Sequence, residues 1–223
     1  TPKPSSAASD VYKRQVTDLY ILGDLFEYWV GDDDPMDDLN ETRTSITRLG
    51  SKINIWYMHG NRDFLISKKI CKDLNMKLLK DPTVILKNDL KLLLLHGDTL
   101  CTDDKEYQNF RSLVRSEEWQ TKMLSKSLEE RLSLAENLRM KSINANAHKD
   151  ENIMDVNIRE IDLLIDNYKP DIIIHGHTHR PNIHTHESEE KNIYRYVLGD
   201  WYDRFFILSL KNRGFVVSKG NLK

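Results

Sequence analysis

Short apolar runs, each closed by a polar cluster, punctuate both ends of the chain. Leu19–Leu22 stops at Gly23-Asp24, and Ile53–Met58 stops at His59-Gly60-Asn61. Thr83–Leu86 and Leu92–Leu95 flank the turn Lys87-Asn88-Asp89, and the second run stops at His96-Gly97-Asp98. Asp171–Ile174 leads into Gly176-His177-Thr178-His179. Apolar runs of this length bounded by Gly, Asn and Asp predict buried strands. Residues 41–50 and Ser67–Leu74 fit helices. From Glu106 to about Tyr168 the period changes. Leu113, Leu124, Leu128, Leu132, Leu134 and Leu138 lie among charged residues without Gly or Pro, which predicts helices. Ile153, Ile161, Leu164, Ile165 and Tyr168 predict a separate amphipathic helix that stops near Lys169-Pro170. Tyr194–Leu198 reads as a further strand, and Phe205–Leu210 with Gly214–Val217 as a terminal hairpin. The expected class is mixed α/β, without internal repeats. One domain spans residues 16–223, and a helical insertion at 106–149 separates two parts of its core.

Composition narrows the function classes. The 223 residues carry 33 basic and 35 acidic side chains, a formal charge of −2, which argues against nucleic acid as the principal partner. With 39% hydrophobic residues, 9 Gly and 6 Pro, the chain is neither collagen-like nor wholly disordered. No run approaches the roughly 20 apolar residues of a membrane-spanning helix. Cys71 and Cys101 are too few for a disulfide framework and have no CxxC spacing, so both are expected as reduced thiols in a cytosolic setting. Residues 1–15, TPKPSSAASDVYKRQ, lack the apolar stretch of a secretory signal. Two readings of them stand: a disordered tail, or a segment foreign to the native protein.

The candidate chemistry sits at the strand ends. Loops there are where an α/β scaffold collects ligand sites, and glycine beside each cluster permits close backbone approach. Taken singly, each cluster has a plainer reading. Asp24 suits a helix cap, Asn61 and Asp63 suit a turn, and His96 suits a strand-end histidine bonded to backbone. His177 and His179 form an alternating pair that aims two imidazoles to one side. Taken together, Asp, Asn and His at four strand ends point to a hydrolytic metal centre, since these oxygen and imidazole donors suit Mn²⁺, Zn²⁺, Fe or Co²⁺. Asp32-Asp33-Asp34 with Asp37-Asp38 reads as a solvated loop. His184 and His186 read as peripheral, and Asp200–Asp203 carries no clear signal.

These blocks resemble the calcineurin-like metallophosphoesterases, whose pattern runs D-x-H, G-D, G-N-x-D/E, H and G-H-x-H. A narrower similarity is to the UDP-2,3-diacylglucosamine pyrophosphatase family of lipid A biosynthesis. It rests on ILGDLFEYWVGDDD (21–34), HGNRDFL (59–65), LLHGDTLCTDD (94–104), ANAHKDENIMDVN (145–157) and IIHGHTHRP (173–181), and covers about residues 17–210. The resemblance implies a four-layer α/β/β/α sandwich with a helical cap and two divalent cations, Mn²⁺ by preference. It implies cleavage of the pyrophosphate bond of UDP-2,3-diacylglucosamine at the α-phosphorus, giving UMP and 2,3-diacylglucosamine 1-phosphate. It also implies a cytoplasmic protein bound peripherally to the inner-membrane surface.

Carried over by residue, Asp24 resembles the bridging carboxylate. Asn61, His96 and His177 resemble ligands of the second metal, and His179 a ligand of the first. Arg62 stands where many relatives place a histidine acid. A guanidinium cannot deliver a proton, so Arg62 is expected to bind phosphate and stabilise charge, which suits a phosphate leaving group. Asn61, Arg62 and His96 are thus the expected catalytic residues. Asp104, Ser142, Asn146 and Lys149 are the implied substrate contacts, with Asn61, Arg62 and His177 near the phosphates. Apolar residues of the insertion, including Trp119, Met123, Leu124 and Met140, suit either a groove for acyl chains or a seam buried between helices. The family's D-x-H has no counterpart ahead of Leu19. Asp10-Val11-Tyr12 does not supply it, and Asp18 is too near Asp24. The expectation is that residues 1 to about 15 stand in place of a native strand, leaving the first metal only Asp24 and His179. A different calcineurin-like phosphoesterase, or an inactive chain acting at most as a binding protein, remain the alternatives.

Overall fold

The runs Leu92–Leu95 and Ile172–Ile174 are continuously apolar because their strands are covered on both faces. The computed structural model describes residues 16–35, 39–146, 149, 153–188, 191–211 and 214–222, with the side chains of Ile143 and Asn146 outside that description. In chain order the elements are β1 (Asp18–Ile21), α1 (Asn40–Gly50), β2 (Asn54–Met58), α2 (Lys68–Asp73), β3 (Met76–Leu79), β4 (Thr83–Lys87) and β5 (Leu90–Leu95). A 3₁₀ turn at Asp98–Leu100 precedes α3 (Lys105–Val114), α4 (Glu117–Leu124), α5 (Leu128–Asn146) and α6 (Ile158–Tyr168). The chain closes with β6 (Ile172–His175), β7 (Asn182–Glu187), β8 (Asn192–Val197), β9 (Arg204–Lys211) and β10 (Gly214–Asn221).

Among the described residues β1, β2 and β3 form one parallel sheet. A second sheet runs β4-β5-β6-β8-β7, parallel through β5, β6 and β8, with β4 and β7 antiparallel at its edges. The hairpin β9–β10 pairs with itself. Period-two alternation explains the layering. Leu92, Leu94, Ile172 and Ile174 face the seam between the sheets, where they meet Leu22 and Met58, with Leu208, Leu210 and Phe215 of the hairpin packed against them. Their neighbours Leu93, Leu95 and Ile173 point the other way, onto Ile161, Leu164 and Ile165 of α6. Ile55 and Tyr57 of β2 pack outward against Ile46 and Leu49 of α1 and Ile70 and Cys71 of α2. The layers are therefore helices, sheet, sheet, helix, as the family resemblance implies. Cys71 and Cys101 are buried free thiols.

Several boundaries and two elements depart from the sequence pattern. Helix α6 begins at Ile158 because the Asn157 side chain accepts from Arg159 N as its N-cap, which leaves Ile153 outside. Strands β3 and β7 were not anticipated. β7 is an edge strand whose alternation is polar, with His184 and His186 on one side and Ile183 exposed on the other. The reading of residues 1–15, the Asn212-Arg213 turn and Asp37-Asp38 lie outside the described residues.

The helices α3–α5 fall between β5 and β6, adjacent strands of the second sheet. They are anchored to the first half of the chain by arginines. Arg131 of α5, 2% exposed, donates to the carbonyl of Val30 at 2.8 Å and grips both oxygens of Asp33. Asp32 accepts from Trp29 Nε1 at 3.2 Å and from Ser67 N at 3.4 Å. The Asp32–Asp34 loop is thus a docking loop for α5 rather than a purely solvated one.

Candidate metal centre

Four loops leave the C-terminal ends of β1, β2, β5 and β6. Strands β1 and β2 are parallel neighbours, as are β5 and β6, so each pair brings its two loops to one sheet edge. The loops interlock at atomic contact. A Cβ on Gly23, at φ 91°, would lie 2.5 Å from Gly60 Cα and 2.6 Å from His96 Nδ1. Asp24, His177 and His179 all hold positive φ, at 53°, 66° and 53°. Such backbone is costly for non-glycine residues and clusters at functional sites.

The side chains meet with their lone pairs facing. Asn61 Oδ1 lies 2.9 Å from His177 Nδ1 and 3.0 Å from His96 Nε2. His96 Nδ1 sits 2.7 Å from the Leu22 carbonyl, which can only accept, so Nδ1 carries the ring hydrogen and Nε2 offers its lone pair. The Asn61 N–H pointing at Nε2 from 3.4 Å agrees with that tautomer. In that neutral tautomer an amide oxygen and an imidazole lone pair face each other at hydrogen-bond distance, a meeting that a proton on Nε2 or a cation between them would relieve. Asp24 Oδ2 is 3.9 Å from the same Nε2, and Asp24, His96 and His177 offer ligand atoms within 4.8 Å of one another. A convergence of acceptors in a buried place fits a cation, and this set of carboxylate, amide oxygen and two imidazoles suits a divalent transition metal.

The electrostatics agree. Burial opposes a charge on His96, but the carboxylates of Asp24 and Asp98 outweigh it and raise its pKa, so the surroundings favour positive charge there. Burial, followed by the proximity of His96, pushes His177 down to about 3, keeping it neutral and able to ligate. His179 stands outside the three-residue cluster. Its Nδ1 is 4.0 Å from Asp200 Oδ2, its ring is 6.4 Å from that of Tyr202, and its pKa is lowered by burial and then by Arg62.

Arg62 borders the cluster. Its backbone N–H donates to Asp24 Oδ1 at 2.9 Å, while its guanidinium donates to Glu27 at 2.8 Å and to the Tyr202 hydroxyl. Glu27 also pairs with Arg139 of α5 at 2.9 Å. Two expected substrate contacts hold each other: Lys149 Nζ donates to both oxygens of Asp104 at 2.9 and 2.8 Å, and Asp104 caps α3 by accepting from Tyr107 N. Ser142 is exposed on α5, and the side chain of Asn146 lies outside the described residues.

The supporting carboxylates were not legible as such. Asp63, read as a turn residue, is fully buried and accepts backbone N–H groups from Gly60 (2.8 Å), Asp24 (3.3 Å), Leu25 (2.7 Å) and Phe26 (3.4 Å). It ties the β1 loop to the β2 loop. Burial, and after it the Asp24 charge, pushes its pKa up to about 6. Asp98 is held behind His96 by Arg111 and Tyr107. Burial opposes its charge, but His96 and Arg111 outweigh that and bring its pKa down to about 2. Glu27, inside the 21–34 block, and Tyr202 had no role expected of them, and only folding brings them to Arg62.

A family model described as calcineurin-like phosphoesterase matches residues 7–181. The UDP-2,3-diacylglucosamine hydrolase of Aromatoleum aromaticum is 42% identical over 193 residues, which cover 85% of this chain and 78% of that protein. The hydrolase of the same name from Chromohalobacter salexigens is 41% identical over 84% of this chain and 77% of its own length. That from Sodalis glossinidius is 40% identical over 89% and 82%.

Proposed function

The chain belongs to the calcineurin-like phosphoesterase family, and on that premise we propose that it hydrolyses the pyrophosphate bond of UDP-2,3-diacylglucosamine to UMP and 2,3-diacylglucosamine 1-phosphate. The observation that carries the reading is the convergence of Asp24, Asn61, His96 and His177 on one point beside Arg62. We assign Asn61, His96 and His177 with Asp24 to one cation, and Asp24 with His179 to a second, with Mn²⁺ as the metal. Bound there, such cations supply Lewis acidity toward a phosphoryl oxygen and toward water.

The protein's own groups do the rest. His96 is kept in one tautomer by the Leu22 carbonyl, so its Nε2 is presented without rearrangement. Arg62, aimed by Glu27 and Tyr202, is placed to bind the diphosphate and to stabilise charge that builds on it. Permanently charged, it is not the proton donor, and a phosphate leaving group needs little protonation. His177, neutral at ordinary pH, and Asn61, which meets it at 2.9 Å, would face the phosphates. The Asp104–Lys149 pair, with Ser142 and Asn146, would meet the glucosamine and its acyl amides. On α3–α5, Phe110, Leu113, Leu124 and Met140 are exposed among basic residues, a surface suited to acyl chains and to an anionic inner-membrane face. No described helix is long and apolar enough to cross a membrane, so the proposed association is peripheral, on the cytoplasmic side.

The test is release of UMP from UDP-2,3-diacylglucosamine by the purified chain with Mn²⁺, followed by phosphorus NMR. We expect turnover that chelation abolishes and that Asn61→Ala lowers by about 10²-fold or more, as for removal of a metal ligand or its support. Turnover that survives chelation, or an Asn61→Ala variant of near-parental rate, defeats the assignment.

A further inference from the structure

Helix α3 presents Tyr107 and Arg111 one turn apart, and Arg115, its C-terminal cap residue, a turn further on, so the three line one face. That face is turned onto the loops of the metal centre. Arg111 Nε donates to Asp98 Oδ2 at 2.7 Å, and the Tyr107 hydroxyl donates to the same oxygen at 3.0 Å. Gln108 Nε2 fastens the same turn through the carbonyls of Asp98, at 2.8 Å, and Cys101, at 3.1 Å. The Tyr107 ring lies 5.6 Å from that of His177. Arg115 Nη2 reaches across to the Gly60 carbonyl at 2.7 Å, with its guanidinium 4.8 Å over the Phe64 ring. Burial pushes the Arg115 pKa down, so the placement costs stability, and the contact obtained is the carbonyl immediately before Asn61. The β5 loop is in turn tied to the β6 loop, since Gly176 N donates to the His96 carbonyl at 2.8 Å.

We propose that Arg111 and Arg115 are positioning residues of the metal centre. Through them helix α3 sets the β2 loop that carries Asn61 and the β5 loop that carries His96, making the helical segment part of the cation site and not only a cover for a substrate groove. Arg115 holds the carbonyl of Gly60 while Asp63 holds its N–H, so the residue before Asn61 is fixed at both ends. Arg111 neutralises the fully buried Asp98 and fixes the turn that follows His96. Neither arginine touches a ligand atom: Arg115 acts through the carbonyl of Gly60, next to Asn61, and Arg111 through the carboxylate of Asp98, two residues after His96. The inference rests on reading these loops as cation-holding, and its test separates the two.

Amide hydrogen exchange is measured on the full chain without metal, and Mn²⁺ affinity by titration calorimetry, for the parent, Arg115→Met, Arg115→Lys and Arg111→Lys. Arg115→Met keeps the apolar stem over Phe64 and removes the donor. It is expected to speed exchange at the Gly60, Asn61 and Arg62 amides while leaving β6 and the β9–β10 hairpin unchanged, and to weaken Mn²⁺ binding about tenfold, the lower range for groups that orient metal ligands. Arg115→Lys should recover part of both. If Arg115→Met does not fold, Arg111→Lys decides, with faster exchange expected at the amides of His96 and Gly176. Exchange and affinity within twofold of the parent in a folded variant overturn the proposal, and so does a rise in exchange spread evenly over the whole chain. A parent that binds no Mn²⁺ defeats the metal reading, while the exchange comparison still decides whether α3 sets the loops.

Discussion

A single methyl group at Gly60 is expected to disable the centre while leaving the fold largely intact. A Cβ there would lie 2.1 Å from Asp24 Oδ1, 2.2 Å from Asp24 N and 2.7 Å from Asp24 Cγ. The backbone atom cannot swing aside. Asp24 sits at φ 53°, and its N–H and that of Leu25 are tied to Asp63 at 3.3 and 2.7 Å. To reach ordinary contact the Asp24 loop must retreat by more than about 1 Å. A displacement of that size at a reacting centre costs about 10² in rate, whereas overpacking costs about 1–3 kcal/mol in stability. For a domain of this size that is a fall in Tm of about 2–12 °C. Gly176 is the control. It belongs to an equally suggestive motif, Gly176-His177-Thr178-His179, yet a Cβ there would meet only the His96 carbonyl, at 3.6 Å, an ordinary contact. Gly60→Ala should therefore lose Mn²⁺ binding and UMP release by about 10²-fold while remaining folded by circular dichroism. Gly176→Ala should stay within about threefold of the parent, since it creates no overlap. A Gly60→Ala enzyme of near-parental rate, or equal losses in both variants, refutes the steric argument.

Away from the site, Asp18 accepts from Trp56 Nε1, Lys87 Nζ and Thr17 Oγ1. Burial opposes its charge, but these bonds outweigh it and bring its pKa from 3.8 down to about 2. A depressed folded pKa contributes stability that is complete above the unfolded value and is lost as pH falls toward 2. Urea unfolding should then show Asp18→Asn about 1–2 kcal/mol less stable than the parent at pH 6, with the gap closing by about pH 2; a gap that does not change with pH contradicts the linkage. Arg131→Met should lower amide protection of α5 by about 1–3 kcal/mol, because the buried Val30 carbonyl loses its donor, and should leave β5 and β6 unaffected. Global destabilisation by hydrogen exchange would be the contrary result. Tyr202→Phe removes one acceptor partner of Arg62 but leaves Glu27 in place, so kcat/KM should fall about 2–10-fold with Mn²⁺ affinity unchanged. A parallel loss of Mn²⁺ binding would show that Tyr202 acts on the metal loops instead.

The strand ends were readable because two independent signals coincide there. An apolar run marks each strand, and the residue types that follow it are ones a turn alone does not require. Leu92–Leu95 and Ile172–Ile174 are apolar at every position since successive residues feed two different cores, so even the four-layer arrangement left a trace. The residues that hold the ligand loops left none. Asp63 in HGNRD looks like any turn aspartate, and only the fold shows four N–H groups aimed at it. Arg131 is one basic residue among several on α5 until the Asp33 loop closes on it. Strand β7 was invisible because a half-exposed edge strand bearing His184 and His186 has no apolar alternation to show.

The count of lone pairs also explains which carboxylate of the centre is a ligand and which are supports. Both Asp63 oxygens are committed to backbone N–H donors from two loops, so a cation could recruit that carboxylate only by dismantling the turns it holds. Asp98 has its Oδ2 taken by Arg111 and Tyr107 and its charge balanced by that guanidinium; its buried Oδ1 has no hydrogen-bond partner, but Asp98 lies outside the cluster of converging ligand atoms. Asp24 differs. Its Oδ1 accepts a single N–H, from Arg62, and its Oδ2 has Arg62 Nε at 3.7 Å and His96 Nε2 at 3.9 Å, both too long for a hydrogen bond. Freedom from such commitment together with convergence on the two imidazoles is what leaves an oxygen available to a metal. The same arithmetic applied to HGNRD separates Asn61, whose amide oxygen is opposed by imidazole nitrogens, from Asp63 two residues later, whose oxygens are opposed by hydrogens.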